Sequence, residues 1–247
     1  MRVRGEWPNP IVIRRGWARA VARPWNRART DAHLRLERGS ARFLYDASSH
    51  VLGLGASAVI SPPLMAGTQA VWKEAGFEPY TSLALLRRVL DGRESAAGTL
   101  RTLTDTEWRR VLAIDAAAFG DTWKAELPAL LEALTSASKS AILGVDDPET
   151  STLAGYAIVA CSAETGYLQR IAVDPSFHRR GIARSLTRAA HTWCNRRGAR
   201  SVVLNTKPDN EAALSLYLSE GYTVLPERLE LLRYAPTADR KPPTADS

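Results

Sequence analysis

Residues 168–183, reading LQRIAVDPSFHRRGIA, are the part of this chain best suited to chemistry. An apolar run is followed by a Pro-containing turn, a basic loop and a single glycine, Gly181, which opens a long helical pattern. The first N–H groups of a helix have no intrahelical acceptor, and the helix dipole adds positive charge there. Such a strand–loop–helix junction suits phosphate oxygens. The segment therefore predicts a phosphate-bearing cofactor.

The elements that must position this loop are indicated by hydrophobic periodicity, which alternates between strand-like and helix-like stretches after residue 99. Predicted helices cover residues 108–119, 126–138, 181–197 and 211–220. Predicted strands cover residues 100–103, 140–145, 153–161, 167–173, 201–206, 222–225 and 228–234. This order is typical of an α/β protein.

Charge is distributed unevenly along the chain. Its 247 residues are 45% hydrophobic and 24% charged, as in ordinary globular proteins with one large or two small domains. The net charge of +7 arises in residues 1–30, where eight arginines face one acid, Glu6. We expect a basic arm there, which is either a solvated leader or a contact for a polyanion.

Other residue types exclude several classes of function. Cys161 and Cys194 have no metal-type or redox-type spacing, so we expect inert thiols in a reducing compartment. The longest apolar stretch, residues 51–60, is too short to span a bilayer. The pair Arg14-Arg15 is not followed by an apolar run, so export is not expected. The histidines form no metal-ligand pattern with acids or cysteines. A cytoplasmic protein without a metal is expected.

A stretch near residue 70 resembles one near the end of the chain. TQAVWKEAGFEPYTSLALLRRVL aligns with ALSLYLSEGYTVLPERLELLRYA at an offset of 145 residues, and of 146 after the turn. An internal repeat would explain this, and so would two unrelated helices that each end at glycine before a strand. If it is a repeat, the N-terminal copy is expected to hold only the later half of the fold and no cofactor loop.

Two motifs resemble those of the GNAT superfamily of acetyl-CoA-dependent N-acetyltransferases. IAVDPSFHRRGIA is similar to the family's acetyl-CoA motif: Gly181 and Ala183 fit, and His178 stands where the family has Gln or Arg. PDNEAALSLYLSEGY, residues 208–222, is similar to the next motif, with the expected residues Asn210, Ala213, Tyr217 and Gly221. Both occur in the family's order, and the resemblance covers residues 99–234.

The resemblance implies that acetyl-CoA binds along this strand and loop, with the strand's backbone pairing with the pantetheine arm. Gly181 would allow the diphosphate to approach the backbone closely. A plain strand–helix connection and, for Asn210, a helix cap alone are the alternatives. The residues expected to contact the cofactor are Ile171, Ala172, Val173, Arg179, Arg180, Gly181, Ile182, Ala183, Arg184, Asn210 and Ala213.

By the same resemblance, Tyr217 would be the catalytic acid that protonates the departing coenzyme A thiolate. A phenol of pKa ~10 stays protonated at neutral pH; the alternative is a core tyrosine. The segment TEWRRVLAIDAAAFGDTW also resembles ribosomal-protein alanine N-acetyltransferases, which carry a Glu where Asn205 stands here. An amide cannot act as a base, and Glu164 and Tyr167 are the remaining candidates.

These observations predict an α/β protein with a GNAT-like mixed central sheet flanked by helices, and an N-terminal partial repeat of the same fold. The expected domains are a basic arm (1–30), a non-catalytic half-domain (31–95), an acetyltransferase domain (99–234) and a disordered tail (235–247). The expected reaction moves an acetyl group from acetyl-CoA to a primary amine of a small molecule or protein. The alternatives are an acetyl-CoA-binding pseudoenzyme, acting as sensor or scaffold, and a nucleic-acid or ribosome adaptor using the basic arm.

Overall fold

The structure, a computed structural model, describes residues 1–94, 100–236 and 243. The chain divides into two units. Unit 1 comprises Met1–Leu83 and Glu227–Ser247, and unit 2 comprises Ala84–Pro226. Most of the expected disordered tail, residues 235–247, lies outside the described residues.

Strands and helices alternate along both units. The strands are β1 Arg2–Arg4, β2 Ile11–Arg15, β3 Ala18–Asn26, β4 Arg29–Arg38, β5 Val59–Ile60, β6 Leu64–Met65, β7 Glu78–Val89, β8 Leu100–Thr102, β9 Lys139–Asp146, β10 Leu153–Ser162, β11 Thr165–Val173, β12 Ser201–Thr206 and β13 Thr223–Tyr234. The helices are α1 Ala41–Gly53, α2 Ala70–Glu74, α3 Trp108–Trp123, α4 Leu127–Thr135, α5 Ile182–Asn195 and α6 Glu211–Ser219. Short 3-10 turns cover Ala66–Thr68, Asp105–Glu107 and Pro175–Phe177.

Unit 1 is built on a mixed sheet. Strands β1 to β4 pair antiparallel in chain order, and β4 pairs parallel with β5 after the crossover helix α1. The end of β13 pairs antiparallel with β5, where Arg233 faces Ile60. One face of the sheet packs on α1, whose Phe43 and Leu44 are buried in the core.

Residues 1–30 do not form the expected arm, because they lie in β1, β2, β3 and the start of β4. The buried residues of β2 and β3 alternate with more exposed ones: Ile11, Ile13, Ala18, Ala20 and Ala22. A period of two is the pattern of a half-buried strand. The high arginine content of the alternate positions concealed this pattern in the sequence.

Unit 2 has the expected mixed sheet flanked by helices. Strands β8 to β11 pair antiparallel, β11 pairs parallel with β12, and β12 pairs antiparallel with the end of β7. Central strand β10 is buried on both faces. Ala157 and Val159 pack in the cluster that contains Leu186 of α5, whereas Tyr156 and Ile158 pack in the cluster of α3 and α4.

The partial repeat expected from the sequence is present, but it begins near residue 2. Strands β1 to β5 with α1 and α2 have the same order and pairing as β8 to β12 with α5 and α6. The copy in unit 1 is partial because a loop joins β1 to β2 where unit 2 has α3 and α4. The expectation that this copy holds only the later half of the fold is wrong, since four of its strands precede α1.

The turns that suggested the repeat are alike in geometry. Gly76 and Gly221 adopt left-handed φ values of 88° and 81°. In each turn, the aromatic residue after the glycine donates its N–H to an aromatic residue five positions earlier, at 3.0 Å: Phe77 to Trp72, and Tyr222 to Tyr217.

Strand β13 differs from the sequence prediction, which broke it at Pro226. The structure has one strand, and its residues pass from unit 2 to unit 1 after Pro226. Strand β7 passes in the other direction, so each unit contains the end of a strand that begins in the other.

Both cysteines are buried and free. None of the described helices is long and apolar enough to cross a membrane.

Candidate functional site

The site of unit 2 begins where two parallel strands separate. Strands β11 and β12 pair only through residues 165–167 and 201–203. Beyond Tyr167, β11 still pairs with β10 on its other edge, as far as Val173 opposite Gly155. A register shift there leaves Gln169 as an extra residue in β11 and bends the strand locally. The edge of β11 facing β12 is therefore left without a strand partner over residues 168–173, within the described part of the chain.

The loop after β11 carries the glycine found in the sequence. Gly181 has φ 77° and is the N-cap of α5, with no capping side chain among the described residues. Arg179, two positions before Gly181, also has a positive φ, 65°. A Cβ built on Gly181 would meet no atom within 4 Å. The N-terminus of α5 therefore has free space at Gly181, and its first N–H groups have no side-chain acceptor among the described residues.

The corresponding helix of unit 1 begins differently. At α1, the hydroxyl of Ser40 accepts a hydrogen bond from the N–H of Phe43 at 3.3 Å. A Cβ on the preceding Gly39 would lie 2.6 Å from the Phe43 ring. The start of α1 is thus occupied by its own side chains, whereas the start of α5 is open.

Two of the expected arginines are held by carboxylates. Arg180 contacts Asp147 at 3.1 Å, and Arg184 contacts Glu220 at 2.9 Å. Burial would raise the pKa of Asp147, but hydrogen bonds from Thr150 and the charge of Arg180 lower it overall. Arg179, which is exposed, is therefore the arginine of this loop that has no ion pair among the described residues.

Helix α6 carries the residues of the second motif. Asn210 caps the helix, accepting a hydrogen bond from the N–H of Ala213 at 3.2 Å. Tyr217 is 5% exposed and meets the ring of Tyr222 edge-on, at 5.7 Å between centroids. Burial raises the pKa of Tyr217. The Tyr222 hydroxyl lies 2.9 Å from Nε2 of His191.

The base candidates are not gathered beside the loop. Glu164 lies in the turn before β11, at the strand end opposite Gly181, and contacts Arg200 at 3.0 Å. Tyr167 is at the last position of β11 that pairs with β12. Asn205 is exposed on β12. Among these, only Tyr167 and Asn205 lie at or beyond the point where the strands separate.

A buried ionic cluster that the sequence did not predict lies on the face of β11 that packs against α3 and α4. Asp115 of α3 is 0% exposed and accepts two hydrogen bonds from Arg170, at 2.5 and 2.8 Å. It also accepts from the hydroxyl of Tyr156 and from the N–H of Ala125, the latter at 2.6 Å. Arg170 also donates to the carbonyl of Trp123 at 2.9 Å. A lone acid within the apolar run AIDAAAF is the sequence signal that could have found it.

Comparison with known proteins agrees with this geometry. Residues 108–222 match the family model described as the acetyltransferase (GNAT) family. This segment of unit 2 is therefore a GNAT acetyltransferase domain.

Named relatives share parts of the chain. It is 30% identical over 177 residues to a mycothiol acetyltransferase of Renibacterium salmoninarum, covering 64% of this chain and 52% of the relative. It is 31% identical over 91 residues to the [ribosomal protein bS18]-alanine N-acetyltransferase of Escherichia coli strain K12, covering 37% and 60%. The chain thus spans little more than half the length of these relatives.

Solved structures support the fold of both units. A tandem GNAT protein from the clavulanic acid biosynthesis pathway aligns with TM-score 0.61 at 12% identity, covering 93% of this chain and 83% of that one. A GCN5-related N-acetyltransferase from Sphaerobacter thermophilus aligns with TM-score 0.56 at 18% identity, covering 94% and 83%. Together they support a tandem arrangement of GNAT-like units.

Proposed function

We propose that unit 2 transfers the acetyl group of acetyl-CoA to a primary amine of a small molecule or protein. The observation that carries this is the separation of β11 from β12 beside the open N-terminus of α5. An unpaired strand edge suits an extended amide-containing chain, and an open helix start suits a diphosphate. Pantetheine and the coenzyme A diphosphate have these two chemistries.

In this proposal, the backbone of Ile171, Ala172 and Val173 pairs with the pantetheine arm. The N–H groups around Gly181, Ile182 and Ala183 hold the diphosphate, and Arg179 adds charge. Arg180 and Arg184 act through Asp147 and Glu220, fixing the loop and the first turn of α5. Asn210 and Ala213 begin α6 and position Tyr217.

When bound, acetyl-CoA supplies a thioester carbonyl that a neutral amine can attack. The open edge of β11 holds amine and carbonyl in one orientation and offers N–H donors to the developing oxyanion. Tyr217 donates a hydrogen bond to the departing sulfur. Because burial raises its pKa, the phenol stays protonated across the neutral range.

The second candidate function is that of a sensor or scaffold. Such a protein would bind acetyl-CoA at the same site but would not transfer its acetyl group. The observation in its favour is that Asn205 is an amide and that Glu164 is paired with Arg200, away from the loop. The enzyme proposal therefore assigns the amine proton to water.

Thiol release from acetyl-CoA, measured with a panel of amines, separates the two candidates. The panel contains peptide N-termini, lysine peptides, amino sugars and polyamines, and calorimetry measures acetyl-CoA binding in parallel. Turnover with one amine class supports the enzyme. Binding without turnover of any amine supports the sensor, and absence of binding overturns both.

A further inference from the structure

Arginines align across the four N-terminal strands of unit 1. Arg2 is directly opposite Arg14, Arg14 opposite Arg19, and Arg19 opposite Arg38. Residues directly opposite in neighbouring strands share one face of the sheet. Since strands lie about 4.8 Å apart, the four side chains form a continuous row of positive charge across the sheet. We call the face of the sheet that carries this row, and the second row described next, the arginine face.

A second row runs beside the first. Arg4 is opposite Val12, Val12 opposite Val21, and Val21 opposite Arg35. Two half-buried valines thus lie between two exposed arginines. The residues at the intervening positions of β2 and β3 point to the other side, into the core with α1.

Internal acids compensate only part of this charge. Glu37 pairs with Arg19 and with Arg35, the latter at 3.3 Å. Arg2, Arg4 and Arg14 form no ion pair within the described part of the chain, and all three are exposed. By contrast Arg15, on the core side of β2, pairs with Asp46 at 2.6 Å.

Like charges directly opposite each other in a sheet cost stability. Three successive Arg–Arg pairs in one row, in which Arg2 and Arg14 have no ion pair among the described residues, are therefore a feature that folding does not require. An external polyanion would remove the repulsion. The row thus points to a ligand with regularly repeated negative charges.

We propose that the arginine face binds single-stranded nucleic acid. All cations before Lys73 are arginines, whose planar guanidinium binds phosphate in two-pronged fashion and stacks on bases. Trp17, in the β2–β3 turn, is 67% exposed, and its carbonyl accepts a hydrogen bond from Arg38 of the row. A strand surface with a basic track and an exposed aromatic ring matches the way proteins hold unpaired strands.

Fluorescence anisotropy with the full chain tests this, using a labelled oligouridine RNA and an oligothymidine DNA of about 15 nucleotides, a length that spans one such site. The variant R2Q/R4Q/R14Q removes three exposed cations without ion pairs, so its thermal stability should not fall. We expect a loss of affinity of about tenfold or more. The slope of log K against log salt should decrease by about 2, at about 0.7 per phosphate contact.

The matched control, R87Q/R109Q/R196Q, removes the same net charge from exposed positions in unit 2 that also lack ion pairs, and it should bind as the unchanged protein does. Trp17→Ala should weaken binding while leaving the salt slope unchanged. Binding of either the RNA or the DNA oligonucleotide supports the proposal. Equal losses in variant and control overturn the proposal. So does binding of phosphatidylserine vesicles by a protein that binds neither oligonucleotide.

Discussion

Arg170 of β11 and Asp115 of α3 form a two-pronged ion pair, 55 positions apart in sequence, on the face of β11 that packs against α3 and α4. Burial lowers the pKa of Arg170, but the hydrogen bonds and charges of Asp115 and Tyr156 together outweigh burial, and the net pKa is raised. The same carboxylate accepts the N–H of Ala125, after the helix breaks at Gly120. The pair therefore ties the strand of the proposed cofactor site to the α3–α4 connection.

Removing the charge of Asp115 should destabilise unit 2 strongly. Asp115→Asn leaves a half-buried guanidinium without its counter-charge, which costs about 3–5 kcal/mol. Tyr156→Phe, which removes a single hydrogen bond to the same carboxylate, should cost about 1 kcal/mol. Urea unfolding of both variants measures the difference. Equal, small losses would show that Arg170 finds another partner.

Substitution of Gly181 should weaken acetyl-CoA binding beyond its effect on folding. Gly181→Ala places a methyl group in the open space at the start of α5, in a left-handed conformation that costs about 1 kcal/mol. Gly198, after the end of the same helix, also has a positive φ, 87°, and open space around its Cβ. Gly198→Ala should therefore lose the same stability but keep its affinity in calorimetry. Equal acetyl-CoA affinities in the two variants would contradict the placement of the diphosphate at Gly181.

The hydroxyl of Tyr217 should matter for turnover and not for binding. Tyr217→Phe should lower kcat by about 10²–10⁴-fold, the range of general-acid catalysis, with acetyl-CoA affinity nearly unchanged. Tyr222→Phe is the matched control, since it removes a buried hydroxyl bonded to His191 on the neighbouring ring. It should lose about 1 kcal/mol of stability and keep its kcat. Unchanged kcat in Tyr217→Phe would exclude the proposed donor.

Acid should destabilise unit 2 through His191. Burial lowers its pKa to about 4, whereas the unfolded value is ~6.5. Between these values the unfolded chain binds a proton that the folded chain does not, so stability falls as pH decreases through this window. The expected loss from pH 7.5 to pH 5 is about 2 kcal/mol.

The variant His191→Gln isolates this effect, because the amide can still bond Tyr222 but does not titrate. Urea unfolding at both pH values should show a smaller acid loss than in the unchanged protein. His33 of unit 1, whose pKa burial also lowers, remains in both proteins and cancels. Identical acid losses in the two proteins would exclude His191 as the source.

The sequence by itself determined the features that depend on short-range geometry. Periods of 2 and 3.6 located β9 to β12 and α3 to α6 to within a few residues, and glycine located the left-handed turns at Gly76, Gly181 and Gly221. The motifs around Gly181 and Tyr217 indicated the family. Each of these signals lies within about one element, where backbone conformation and side-chain spacing act directly.

Only the tertiary structure decided the rest. The separation of β11 from β12, the capture of Arg180 by Asp147 and the burial of Asp115 against Arg170 join residues from different elements. The strands of residues 1–30 and the alignment of Arg2, Arg14, Arg19 and Arg38 depend on register between strands. Register and burial are set by the packing of distant segments, so a local pattern such as an arginine-rich stretch does not reveal which face it occupies.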